Sequence, residues 1–493
     1  MQKFIKWIKV VTGNLLTCVF KTNNKDQTKM KSFFIILTLI LFLNSTSTAQ
    51  PLTDSIKIKQ YEKVAQQFVS TALKERKGYD ALKNLCRIGP RLSGSRNSLI
   101  AINWAKNKLK EMGCDSVWLQ PVMVPHWERG EVEQAVIFNT KKFNGIKLHI
   151  SALGGSVGTP PEGIAGRIIE VQNFEELKEK RDSVKGKIVF FNRPLDQSLL
   201  NTFRGYSGAV NQRVYGAIEA AKYGAVGVII RSVTTKYDTI PHTGVMLYVD
   251  SLPKIPAVAA GYLDADFLSQ IIKEDPALKL NLLLNCKTLP DAKSFNVIGE
   301  IKGSEYPGEV IVAGGHIDSW DVGQGAHDDG AGCVQSMEVL DLFNRLKIKP
   351  KRTIRCVLFI NEENGSRGSK EYSKFAENSA MTHIAAIESD RGGFTPKGFN
   401  IDTDSSQIFK RVKSWLPFLE KAGIDWIRKG GSGADVGRVK NTKALFGYVP
   451  DSQRYFDLHH SASDVFEKVH PRELELGSAA MAILVYLISE EGL

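Results

Sequence analysis

The chain has 493 residues, more than one hydrophobic core usually organises, so two domains are expected. Its composition, 43% hydrophobic and 24% charged, is that of a globular protein and excludes a disordered or fibrous chain. The formal charge of +12 does not mark a nucleic-acid binder: a net of +6 lies in residues 1–49, where seven lysines face Asp26 alone, and no Lys/Arg stripe with interleaved aromatics follows.

The N-terminus reads as export machinery. Met30-Lys31 precede the apolar run Phe33 to Leu43, followed by the polar stretch Asn44 to Thr48 and by Ala49. That is the order of a signal peptide, with cleavage expected after Ala49, Met30 as the start and residues 1–29 as an upstream extension. The apolar run is short for a bilayer and meets no basic stop signal. An anchor over Phe4 to Phe20 is the rival reading, but Lys6, Lys9 and Asn14 interrupt it. The mature chain is therefore expected outside the cytoplasm, secreted or periplasmic, with no stable membrane anchor. It keeps Cys86, Cys114, Cys286, Cys333 and Cys356, an odd number without zinc-knuckle or redox spacing. Buried free thiols are expected rather than a disulfide framework.

Residues 50–154 open with amphipathic helices over 56–84 and 97–112, around the turn Gly89 to Ser95. The texture changes over 155–290. Short β-type runs (Arg167 to Val171, Lys187 to Phe191, Val226 to Ile230, Ile255 to Ala259) alternate with turn clusters, and one helix is expected over Val214 to Tyr223. Over 291–493 strands alternate with helices. Strands are expected at Val310 to Ala313, Thr353 to Ile360 and Ile384 to Ile387; helices at Val334 to Leu346, Ser369 to Ala376, Ser405 to Leu419 and Glu473 to Leu487. The fold class is α/β: a doubly wound, mostly parallel sheet, interrupted by a β-rich insertion. Such sheets bind ligands beyond the carboxyl ends of their strands.

Acids and histidines collect at those ends. His316-Ile317-Asp318 follows one strand, and a glycine-rich loop then carries His327, Asp328 and Asp329. Glu362-Glu363 follows the next strand, Glu388-Ser389-Asp390 the third, and His459-His460 with Asp464 lies near the C-terminus. Two imidazoles with three carboxylates and no thiolate suit catalytic zinc. Five side chains can hold two metals if one carboxylate bridges them, at the roughly 3.5–4 Å spacing of two-metal hydrolases. A further acid must stay off the metals to take a proton from water, and the Glu362-Glu363 pair can supply both a ligand and a base.

His316-Ile317-Asp318, Asp328 to Gly332, Glu362-Glu363, Glu388 to Asp390 and His459 to Ser461 resemble the ordered motifs of the co-catalytic two-zinc aminopeptidase and glutamate carboxypeptidase superfamily. The strings Gly89 to Ser95, Pro125 to Glu131, Gly158 to Gly163, Pro241 to Gly244 and His316 to Gly325 extend the likeness from about residue 56 to near the C-terminus. The resemblance implies two zinc ions. His316, Asp328 and Asp390 would hold one; Asp328, Glu363 and His460 the other; Glu362 would be the general base. Asp318, and with it Asp464, would orient the ligating imidazoles. The resemblance also implies a protease-associated domain over 155–290, a homodimer, and a secreted exopeptidase acting on small unblocked peptides. The alternatives are an aminopeptidase on longer peptides and a silent binding protein on a peptidase scaffold.

Each neighbour has a plainer reading. His327 is expected as a loop side chain, Asp329 as a turn-former and Glu388 as a support of its strand end. His459 and His460 are expected to project oppositely, and the resemblance alone selects His460. Gly430 to Asp435 departs from the superfamily's pattern, which leaves side-chain preference open.

Overall fold

In the computed structural model residues 55–140 and 142–493 are described; the signal-peptide reading falls outside them. An eight-stranded sheet runs in the order Ser116–Glu128, Lys287–Ile301, Arg352–Phe359, Tyr306–His316, Thr382–Glu388, Ala444–Pro450, Pro396–Asp402, Trp426–Lys429. Its centre is parallel: Tyr306–His316 lies between Arg352–Phe359 and Thr382–Glu388, and Ala444–Pro450 pairs in parallel beyond. Arg352–Phe359 is buried at every position, as a strand covered on both faces requires. Ile311 and Ala313 face a core with Phe68, Leu109, Phe343 and Ile483, from the helices Ser55–Glu75, Arg96–Glu111, Ala331–Arg345 and Pro471–Glu491. Val310 and Val312 face Tyr372 and Ala376 of the helix Arg367–Glu377 on the other side.

The sheet is parallel in four of its seven neighbouring pairs and antiparallel in three. Lys287–Ile301 runs antiparallel to both Ser116–Glu128 and Arg352–Phe359, and Pro396–Asp402 antiparallel to Ala444–Pro450. Strand-helix alternation predicts parallel crossover pairs, and none of the antiparallel partners are consecutive strands of the chain. Ser116–Glu128 and Lys287–Ile301 form a ribbon, from Ser116 against Glu300 to Glu128 against Lys287. The ribbon leads the chain away from the first sheet and returns it.

All of the second sheet lies between those two strands. Its order is Lys147–Leu148, Glu133–Phe138, Lys279–Leu284, Ile164–Val171, Ile188–Phe191, Gly227–Arg231, Ala257–Ala260, Ile150–Ala152. The four strands expected in this region are present, and the expected helix is Asn211–Ala221. The first expected helix is two, broken where Arg76 turns left-handed at φ 52°. Ser95 caps the next by accepting from Ser98 N. All five cysteines of the described residues are free, as expected.

Candidate metal centre

The carboxyl ends of the parallel strands bring the separated acids and histidines together. His316 is the last residue of its strand, Glu362 and Glu363 follow Asn361 (φ 68°), and Asp390 lies just past Thr382–Glu388. Asp328 sits in the loop leading to Ala331–Arg345, joined to Asp329 by a cis peptide bond. His316 Nε2 lies 3.3 Å from Asp328 Oδ1 and 3.5 Å from Asp390 Oδ1. His460 Nε2 lies 3.3 Å from Asp328 Oδ2 and 3.1 Å from Glu363 Oε2. One carboxylate thus stands between two imidazoles, and each imidazole has an acid of its own.

Asp328 Oδ2, Glu363 Oε1 and Asp390 Oδ1 are buried without a hydrogen-bond partner among the described residues. Burial, then the neighbouring Asp328 charge, pushes Glu363 well above the usual carboxylate range, and burial raises Asp390. Glu362 is pushed up to about 8, by burial first and by the Asp390 charge, against the opposing effect of His316. Carboxylates crowded this way, with bare oxygens turned inward, fit cations. Asp328, His459 and His460 form one cluster of donors within 4.8 Å of one another, as do His316, Asp329 and Asp390, and His316, Asp328 and Glu363.

Several neighbours act differently from expectation. The His316 Nδ1 contact at 3.0 Å is to the main-chain oxygen of Asp318, while the Asp318 carboxylate lies 3.9 Å from that nitrogen. That carboxylate instead accepts from Glu362 N at 3.1 Å and so sets the general-base candidate. Among the described residues Asp464 makes no hydrogen bond or ion pair with His460: its oxygens accept from His327 N at 2.8 Å and Asp328 N at 3.0 Å, fixing the loop. His459 and His460 do not project oppositely. Their rings stack 3.5 Å apart at 18°, and His459 Nε2 also comes within 3.6 Å of Asp328 Oδ2. Opposite projection belongs to extended backbone, whereas His460 is left-handed at φ 61°.

Other plain readings hold. Asp329 accepts from His316 N at 3.0 Å and Gly332 N at 3.1 Å, shaping the turn. Glu388 accepts from Ala434, Asp435 and Val436 N at 2.6–3.0 Å, anchoring the Gly430 to Asp435 segment. His327 stacks on Phe394 at 4.1 Å, and its Nδ1 accepts from Gly393 N.

Two arginines carry site geometry that the sequence does not signal, Arg91 through main-chain oxygens and Arg213 through the far side of an imidazole. Arg91 is fully buried in the Gly89 to Ser95 turn and donates to Ile317 O at 2.7 Å, Gln324 O at 2.5 Å and Gly325 O at 2.8 Å. It thereby ties the His316 strand end to the Asp328 loop. Arg213, from Asn211–Ala221, stands beside His460 with Nη1 3.3 Å from Nδ1. A cleft of about 430 Å³ opens over the cluster, walled by Glu362, Tyr206, Phe456, Arg213 and Leu247 among others.

Sequence comparison places this geometry in a family. The profile of peptidase family M28 matches residues 296–482. Carboxypeptidase Q of Bos taurus is 36% identical over 439 residues, covering 88% of this chain and 90% of the relative. The crystal structure of a peptidase M28 precursor from Shewanella amazonensis SB2B superposes with a TM-score of 0.83 at 33% identity, covering 87% of this chain and 97% of that one. A zinc aminopeptidase from Bacillus subtilis shares the fold, with a TM-score of 0.60 at 20% identity over 83% of this chain and 94% of its own. The chain belongs to peptidase family M28, as a carboxypeptidase Q-like metallo-exopeptidase.

Proposed function

We propose that this chain is a zinc exopeptidase that hydrolyses small, unblocked peptides at a pair of metal ions outside the cytoplasm. The observation that carries this reading is Asp328, whose two oxygens face His316 and His460 separately while Asp390 and Glu363 complete the two sets. His316, Asp328 and Asp390 hold one zinc; Asp328, Glu363 and His460 hold the other. When bound, zinc supplies Lewis acidity, lowering the pKa of a water to about 7 and polarising the scissile carbonyl. Glu362, on the cleft wall and off both metal sets, takes the proton of the attacking water and passes it to the departing amine. Asp318 fixes its main chain for that task.

The cleft volume suits a short peptide, and its aromatic rim limits water. The relatives named carboxypeptidase Q and zinc aminopeptidase take their names from acting at chain ends, which supports an exopeptidase. Unblocked dipeptides should be hydrolysed, and the same peptides blocked at both ends should not; a metal chelator should abolish turnover and zinc should restore it. Faster cleavage of longer chains than of dipeptides, or turnover indifferent to the chelator, would overturn the proposal.

The region 155–290 is proposed as a protease-associated domain that forms one wall of the cleft and gives no metal ligand. Residues 30–49 are proposed as a cleaved signal peptide. N-terminal sequencing of exported protein should begin at or near Gln50; an intact Met1 or Met30 on a cytoplasmic protein would contradict export.

A further inference from the structure

The ring of His460 is held from behind by residues of the other sheet's region, and they ask opposite things of one nitrogen. Nδ1 lies 3.3 Å from the Thr243 carbonyl oxygen and 3.3 Å from Arg213 Nη1. A carbonyl only accepts, so a bond to Thr243 needs the proton on Nδ1 and leaves Nε2 with a bare lone pair. A guanidinium only donates, so a bond from Arg213 needs Nδ1 bare and puts the proton on Nε2. Nε2 is the atom that faces Glu363 and Asp328. Protonated, it donates to those carboxylates itself; bare, it joins them as a metal donor.

The surroundings suit such a competition. Arg213 is 5% exposed, takes part in no ion pair found among the described residues, and its Nε has no partner. A Cβ on Gly244 (φ 136°) would stand 2.4 Å from the guanidinium carbon, so the glycine clears the space that Arg213 fills. The Thr243 carbonyl is fixed in turn. Thr243 N donates to His460 O at 2.9 Å, Thr243 Oγ1 to Ala152 O at 2.7 Å, and His242 Nδ1 to His459 O at 2.6 Å. His242 and Ser461 form an antiparallel bridge alongside.

We infer that Arg213 and Thr243 set the tautomer of His460, so that this strap from the other sheet's region regulates how tightly the second metal position binds. The inference rests on the two-metal reading above. In the metal-free protein Arg213 donates to Nδ1 and Nε2–H donates to Glu363. In the loaded protein Nδ1–H donates to Thr243, and Arg213 shares that oxygen, which its Nη1 reaches at 3.4 Å. The ring carries one proton in both states: one leaves Nε2 to solvent and one is taken up at Nδ1. Arg213 is thus a positioning residue that favours the empty site, and His242 one that favours the loaded site.

The two predict opposite effects on zinc affinity, read by chelator competition on the full mature chain. Outer-sphere partners typically shift metal affinity about 10–100-fold. Arg213→Met should tighten one of two zincs by about tenfold; His242→Ala should weaken the same one by about tenfold, and His242→Asn, which restores a donor, should recover it. Arg213→Leu is read in the same way should Arg213→Met fail to fold. Weaker or unchanged zinc in the Arg213 variants, or unchanged zinc in His242→Ala, overturns the inference. Fewer than two zincs on the unmodified chain would instead refute the two-metal reading on which it rests.

Discussion

Glu362 and Glu363 are adjacent in sequence and given opposite duties, and a single amide tests that division. Glu362→Gln keeps the shape and every assigned ligand but cannot take a proton. General acid-base catalysis contributes about 10²–10⁴-fold, so a catalytic-rate loss of that order is expected, with the zinc content retained. Near-normal turnover in Glu362→Gln, or loss of zinc from it, would mean the two glutamates have been assigned in the wrong order. His316, Glu362, Glu363 and Asp390 were legible because each lies at or just past the end of an apolar strand, and the chemistry of a sheet's carboxyl edge narrows the choice to acids and histidines there, whereas Asp328 and His460 lie in loops. Their helpers were not. Asp318 and Asp464 can be picked out as acids near histidines, yet the atoms they serve are main-chain N–H groups, which side-chain identity does not reveal. The His459-His460 pair defeats an alternation rule because a left-handed residue redirects the second ring.

At the scale of elements, apolar runs such as Arg352–Phe359 announce themselves, and so do the helices that cover them. The ribbon of Ser116–Glu128 with Lys287–Ile301 does not, because its partners are more than 150 residues apart and only tertiary pairing makes them strands. The strand Thr382–Glu388 carries a separate, testable load at its start. His383 accepts from Tyr372 Oη at 3.0 Å, and burial, then the Arg355 charge, lowers its pKa to about 4. An unfolded histidine titrates near 6.5. The folded pKa is the lower one, so between about pH 6.5 and 4 the unfolded chain binds the extra proton. Stability is therefore full above that window and falls as pH drops through it, by about 3 kcal/mol or less from this residue. Thermal unfolding of His383→Gln across those pH values should show a shallower decline than the unmodified chain. Equal slopes would mean that His383 is not buried in its neutral form.

For the whole molecule, the two sheets divide the labour. The first, through one strand end and its connecting loops, carries all six assigned site residues, and the region between its ribbon strands supplies Arg213, Leu247 and part of the cleft's aromatic wall. No helix among the described residues is long and apolar enough to cross a membrane. The central claim, a pair of zincs sharing Asp328, is tested most directly by native mass spectrometry of the purified mature chain beside its Asp328→Ala variant. Two zincs on the former, and none or a scrambled fraction on the latter, are predicted, because the substitution removes a ligand from both positions at once. A single zinc on the unmodified chain, or two retained by Asp328→Ala, would contradict it.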